Sequence, residues 1–208
     1  MIFWRAQVAM WLAVGVVSCT LNKPLPQANT YVISAPAPNR NDRVAVRRDP
    51  ATLRMGRVRI AAAYAGTALI YRMDDVKFVS DPYNAFIADP AEMLGDQMAV
   101  WLNDAGPFQT VAQPESTQAV SYVLEADVTE LYGDFRSGQP PAAVLAMQFS
   151  LIDLTGARPR AVLQRSIAKR ENIAEATPAA LVRGYGSALA DLLADLSGEL
   201  QTAVPGNR

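Results

Sequence analysis

The chain has 208 residues, half of them apolar, a formal charge of −1, a single cysteine and no histidine. The apolar share supplies one hydrophobic core, and the near-neutral charge argues against nucleic acid as a partner. The missing histidine removes Ser-His-Asp and Cys-His nucleophile sets, His-ligated zinc and a His pH switch, and the lone cysteine removes a disulfide framework and a thiol metal cluster.

Residues 1–18 read as a signal peptide. Arg5 is their only charge, and Val8 to Val17 is an apolar run too short for a comfortable membrane span. The run closes on Val16-Val17-Ser18-Cys19. A branched apolar residue, a small residue and then Cys is the pattern of a bacterial lipoprotein signal. Cleavage before Cys19 would leave its thiol to carry a diacylglycerol and its new α-amine a third, palmitate-type acyl chain. Each buried CH₂ contributes about 0.8 kcal/mol, so one chain holds weakly and two or three hold stably. Cys19 is therefore the expected lipid attachment site, and covalent acyl chains are the only prosthetic group expected. Thr20 stands where an Asp would favour inner-membrane retention, so the expected address is the periplasmic face of the outer membrane. Losing Arg5 with the signal takes the formal charge from −1 to −2 and leaves a mature chain of about 190 residues.

Residues 19–30 read as a lipidated tether, polar and containing Pro24, Pro26, Asn22 and Asn29. Eleven extended residues reach roughly 35 Å, enough to lift a domain clear of the headgroups. The globular domain is expected over residues 31–201. Thr30–Ala35 is β-prone. Residues 36–50 form a proline-containing loop with Arg40, Arg43, Arg47 and Arg48 against Asp42 and Asp49, a solvated loop with a second possible use at anionic headgroups. Leu53–Ala63 alternates Val58, Ile60 and Ala62 with Arg57 and Arg59, the period of a half-buried strand, with Gly56 marking a bulge. Thr67–Met73 and Val76–Val79 are two more short strands on either side of Asp74-Asp75, after a turn at Gly66.

Asp89, Pro90 and Glu92 then punctuate a helix start, and Leu94, Met98, Trp101, Leu102 and Ala105 recur at helical spacing until Gly106-Pro107. Phe108–Ala112 is a short strand. Three long β segments follow at Ser121–Leu131, Ala143–Asp153 and Ala161–Ile173, with connections that favour an antiparallel meander. A final helix opens at Thr177-Pro178, with Leu181, Tyr185, Leu189, Leu192, Leu193, Leu196 and Leu200 as its stripe. Gly184 and Gly186 weaken its first turns and offer close helix–sheet packing. Residues 202–208 are expected to be a disordered tail. The element order β-β-β-β-α-β-β-β-β-α predicts an α+β domain: a mostly antiparallel β-sheet with two amphipathic helices packed on one face.

The segment Ala68–Leu94 contains Leu69-Ile70-Tyr71-Arg72, Tyr83-Asn84-Ala85-Phe86 and Ala88-Asp89-Pro90-Ala91-Glu92-Met93-Leu94. With the lipoprotein signal and Tyr31-Val32-Ile33, it resembles the auxiliary lipoproteins of ABC-type transporters, the PqiC-like type. The order of features matches over nearly all of the mature chain. Members commonly carry Arg-Trp before the first helix, where this chain has Ala85-Phe86. The resemblance implies a role without a reaction: membrane integrity and transport of phospholipid or other hydrophobic molecules between two membranes. It implies an MCE-domain periplasmic protein and an inner-membrane ABC permease and ATPase as partners, membrane lipid through the anchor, and a homo-oligomer. The alternative is a stand-alone lipid-binding or envelope-assembly lipoprotein.

Tyr71, Arg72, Tyr83, Phe86 and Trp101 are the candidates for partner or lipid contact, because aromatic residues and Arg dominate interface hot spots. The competing reading places Phe86 and Trp101 in the core and leaves Arg72 as the exposed member. Asp74-Asp75 and Asp81 read as turn residues and not as a metal site, because adjacent strand residues point to opposite faces. Ser150 and Lys169 lie in no motif. No catalytic residue and no metal ligand is assigned, and the chain is expected not to be an enzyme.

Overall fold

The computed structural model describes residues 27–37, 49–112, 114 and 116–204. Cys19, Thr20, most of the tether and most of the arginine-containing loop lie outside them.

Ten elements follow one another as β1 (Asn29–Tyr31), β2 (Asp49–Ile60), β3 (Ala68–Arg72), β4 (Phe78–Phe86), α1 (Pro90–Ala105), β5 (Phe108–Ala112), β6 (Tyr122–Asp134), β7 (Ala142–Asp153), β8 (Arg160–Asn172) and α2 (Pro178–Ala203), with one 3₁₀ turn at Ala62–Tyr64. The order is the one the hydrophobic periods predict, and the class is α+β. The expected caps hold both helices. Asp89 accepts from the Ala91 amide at 2.8 Å, and Thr177 Oγ1 accepts from the Ala180 amide at 3.3 Å. Gly56 marks the expected bulge, where the β2–β6 register slips between Met55 and Val58. Gly66 takes φ +96°, a turn conformation open to glycine.

All eight strands join one sheet, with β6 as its hub. On one side β6, β7 and β8 form the expected antiparallel meander. On the other side β6 pairs in parallel with β2 through Leu53–Ile60 and with β3 at Tyr71 and Arg72. Two further pairings, β1–β4 and β2–β5, are also parallel, so four of the seven strand pairings are parallel and the sheet is mixed. The sequence period encodes which face of a strand is apolar, but not which strand lies beside it or in which direction.

Register places Leu124, Ala126 and Val128 of β6 beside Leu151, Phe149 and Met147 of β7, all at most 1 % exposed. This is the face under the helices. Here α1 covers β2 and β5, α2 covers β7 and β8, and the two helices touch. Two ion pairs, Arg165–Glu199 and Lys169–Asp195, strap β8 to α2. Gly184 does allow close packing: a Cβ there would lie 2.7 Å from that of Ala143.

Several boundaries differ from expectation: β2 spans Asp49–Ile60 where Leu53–Ala63 was expected, β6 runs on to Asp134 past Leu131, and three others bear on the fold. β1 stops at Tyr31 because the chain then leaves the sheet and crosses the helical layer. There Ile33 is fully buried and the Ala35 amide donates to Gln97 Oε1 at 3.0 Å. β4 runs on through Ser80-Asp81-Pro82 to Phe86, a stretch whose polar residues and proline conceal a strand. Pro82 is tolerated because that part of β4 has no partner on its outer side. α2 extends to Ala203 and Val204 is 3 % exposed, so the ordered chain passes the expected start of the tail at 202. Residues 205–208 lie outside the described residues.

Candidate functional site: the tether joint and the β3–β4 hairpin

Tyr31, Tyr71 and Asn84 of the family-like segments meet at one place, where the N-terminal segment enters the sheet. β1 lies parallel to the end of β4, with Asn29 opposite Asn84 and Tyr31 opposite Phe86. Against β3, the β4 register slips between Ser80 and Ala85, leaving Asp81–Asn84 as a wide bulge. Asp81 fills the hydrogen-bond vacancies of that bulge. It accepts from the Tyr83 amide at 2.8 Å, the Asn84 amide at 3.0 Å, Asn84 Nδ2 at 2.8 Å and the Tyr71 hydroxyl at 2.7 Å. Asn84 Oδ1 accepts in turn from the Tyr31 hydroxyl at 3.1 Å and from Asn29 Nδ2 at 3.3 Å. A continuous polar chain thus runs from β3 through the bulge to the strand that continues the tether. Burial alone would raise the Asp81 carboxyl, but the Tyr71, Tyr83 and Asn84 donors outweigh it and hold the group below the usual carboxylate range. Burial, and donation to Asp81, push the Tyr71 phenol well above its ordinary value.

The candidate residues separate into three environments. Phe86 and Trp101 are core, 4 % and 7 % exposed, with Phe86 tilted against Tyr185 at 6.2 Å. Tyr71 is half-buried and stacks on Phe135 at 5.0 Å. Arg72 is not the exposed member. Its guanidinium lies 5.8 Å from the Phe78 ring centre and 6.0 Å from that of Tyr132, and it donates to the carbonyls of Asp74 and Asp75. Tyr83 is the exposed one, at 46 %. These five therefore do not form one surface, although Tyr71, Tyr83 and Phe86 all border the joint.

Two features beside the joint have little sequence signature. On the sheet face away from the helices, Tyr64, Phe78 and Tyr132 form an aromatic cluster, with Tyr64 stacked on Tyr132 at 5.9 Å. Next to it Asp134, 1 % exposed, is held by Arg136 and Arg170. The Arg136 hydrogen bonds lead, Arg170 adds to them, and together they overcome burial to hold Asp134 well below the carboxylate range. Arg136 also reaches Asp75 at 2.8 Å. Asp134 and Arg136 stand two apart and Arg170 lies in the next strand but one, so only strand register brings the three together.

The hairpin turn is tight. Asp74 Oδ1 accepts from the Val76 amide at 2.8 Å and the Lys77 amide at 2.6 Å, and the Met73 amide donates to the Lys77 carbonyl. These bonds hold the Asp74 carboxyl below its ordinary range, and the turn reading of Asp74-Asp75 stands. Among the described residues no group of acidic, Cys or His side chains could hold a metal, and no helix is long and apolar enough to cross a membrane.

Fold and joint define a two-layer α+β domain laced to its own N-terminal segment. The chain belongs to the family of ABC-type transport auxiliary lipoprotein components, whose model matches residues 31–197. No curated protein matches the chain. Solved structures share its fold at low identity. A Xanthomonas campestris protein of family DUF330 superposes with TM-score 0.71 at 18 % identity, over 84 % of this chain and 96 % of that one. An uncharacterised protein gives 0.65 at 15 % identity, over 84 % and 99 %. A hypothetical protein of Chlamydia trachomatis gives 0.52 at 9 % identity, over 76 % and 100 %.

Proposed function

We propose that this chain is a non-catalytic, lipid-anchored subunit of an ABC-type system that moves phospholipid or other hydrophobic molecules between two membranes. Acyl chains on Cys19 hold it to the periplasmic face of the outer membrane. There it serves as adaptor for an MCE-domain protein, which an inner-membrane permease and ATPase drive. The family match over residues 31–197 carries this reading. The joint supports it: the strand downstream of Cys19 is paired to β4 and bonded through Asn84 and Asp81 to β3, so pull on the tether reaches the sheet directly. A stand-alone lipid carrier would need an enclosed apolar cavity. Among the described residues, the groove of about 740 Å³ beside α1 is open, and Arg54, Arg57, Glu92, Asp96 and Glu125 share its lining with Met55, Val58 and Val123, a mixed wall that suits water better than acyl chains.

The test is photocrosslinking in intact envelopes from a reactive residue placed at exposed Tyr83. Capture of an MCE-domain protein is the expected result. Capture of unrelated proteins alone would sink the transport role.

A further inference from the structure

Among the described residues, five of the eight large apolar side chains that are well exposed lie on the β3–β4 hairpin: Met73, Val76, Phe78, Val79 and Tyr83. Val76, at the turn, is 90 % exposed. We infer that this hairpin is a second membrane contact, with Met73, Val76, Phe78 and Val79 seated in the headgroup region of the bilayer that holds the anchor. The inference rests on the reading of Cys19 as the anchor.

Direction is the first argument. β1 runs parallel to β4 with Asn29 opposite Asn84, so the chain upstream of Asn29 arrives from the end of β4 that bears the turn. Eight residue-to-residue steps lead from Cys19 to Gln27 and span at most about 28 Å. The stretch of β4 from Pro82 back to Phe78 covers only about 13 Å. Fully extended, that stretch is long enough to bring an anchor at Cys19 level with the hairpin tip on the tip's own side.

Preorganisation is the second. The turn is fixed by Asp74 on two amides and by Arg72 on two carbonyls, so its apolar side chains meet a surface without ordering a loop. Charge is the third. The tip's two carboxylates are engaged, Asp74 with amides and Asp75 with Arg136. Lys77 adds a cation beside Asp74, a charge that an anionic headgroup would attract. At the opposite end of the sheet, the β7–β8 turn presents Thr155, Gly156 and Arg158, and none of its residues is a well-exposed large apolar side chain.

The test uses the full chain, purified from membranes and reconstituted into phosphatidylethanolamine–phosphatidylglycerol vesicles containing brominated acyl chains. Trp101 is the only tryptophan after Cys19 and is buried, so the wild type reports the background. A Val76→Trp variant should show about twofold quenching and a blue shift, as expected for a residue at the headgroup–acyl boundary. A Val100→Trp variant, exposed on α1, should stay unquenched. Mass spectrometry of the Cys19 peptide is read alongside. Acylated Cys19 with an unquenched Val76→Trp rejects the hairpin contact and leaves the anchor standing. Unmodified Cys19 with quenching on added vesicles keeps the hairpin contact and rejects the anchor. Equal quenching at both sites would mean unspecific adsorption and would overturn the inference. So would a blue shift without vesicles that follows protein concentration, which would assign the tip to a second copy.

Discussion

Gly186 of α2 and the backbone carbonyl of Ser34 are in such close contact that a Cβ on residue 186 would lie 2.2 Å from the Ser34 oxygen. The segment that follows β1 is thus pressed onto the helix layer as well as paired to the sheet. Gly186→Ala should cost about 2–3 kcal/mol through overpacking. Thermal unfolding should fall by several degrees, with new proteolytic cleavage near Ser34. Gly198→Ala is the control. It lies in the same helix with nothing within 4 Å of its Cβ position, and should stabilise by roughly 0.5–1 kcal/mol.

The joint should behave as one unit. Tyr71→Phe removes a single donor to Asp81 and should cost about 1 kcal/mol, whereas Asp81→Ala strands several donors and should cost about 2 kcal/mol. Because the two residues bond each other at 2.7 Å, the double variant should lose less than the sum, with a coupling of about 1 kcal/mol by urea unfolding. Strict additivity would remove the Tyr71–Asp81 bond from the account.

Asp134 sets an acid limit. Its carboxyl is depressed in the fold by Arg136 and Arg170. Its contribution is therefore complete above the unfolded carboxylate value of about 4 and is lost as pH falls through the lower folded value. Asp134→Asn should cost about 3 kcal/mol at pH 7 by leaving two cations beside a neutral group. The gap between variant and wild type should shrink below about pH 4. Denaturant melts across that range check it, and a gap unchanged at low pH would mean that the charge is not the cause.

Ser197 is 5 % exposed and its hydroxyl finds no partner among the described residues, and neither does the buried Trp101 Nε1. Ser197→Ala removes an unpaired buried hydroxyl and improves helix propensity, so stability should rise by about 1 kcal/mol. A fall on calorimetry would point to an ordered water in that place.

Cys19→Ala should leave the domain's unfolding curve intact and abolish membrane fractionation and envelope function, since the role proposed for Cys19 is anchoring and the described core runs from Ile33 to Val204. Full complementation of a deletion strain by this variant would refute the anchoring role.

Much of the architecture was legible in the residues. The capping residues Asp89 and Thr177, the alternation in β6 and β7 and the leucine stripe of α2 each encode a local period, and each predicted element is present. The family-like segment was legible too, as were Phe86 and Trp101 as core residues in one of the two readings. What stayed hidden was whatever depends on a neighbour far along the chain. Tyr71, Asp81, Asn84 and Tyr31 looked like separate motif letters, yet they form one polar chain because β1 and β3 flank β4. Asp134 and Arg170 are 36 positions apart and meet only through the β6–β7–β8 register. Arg72 looked exposed because its side chain is charged, and is sheltered by Phe78 across the hairpin and by Tyr132 of β6. The sequence by itself determined the elements and their apolar faces, because these rest on local propensity and spacing. Only the tertiary structure decided strand direction, the packing of the segment after β1 against Gly186 and the exposure of the hairpin, because pairing and burial are properties of residues brought together from different parts of the chain.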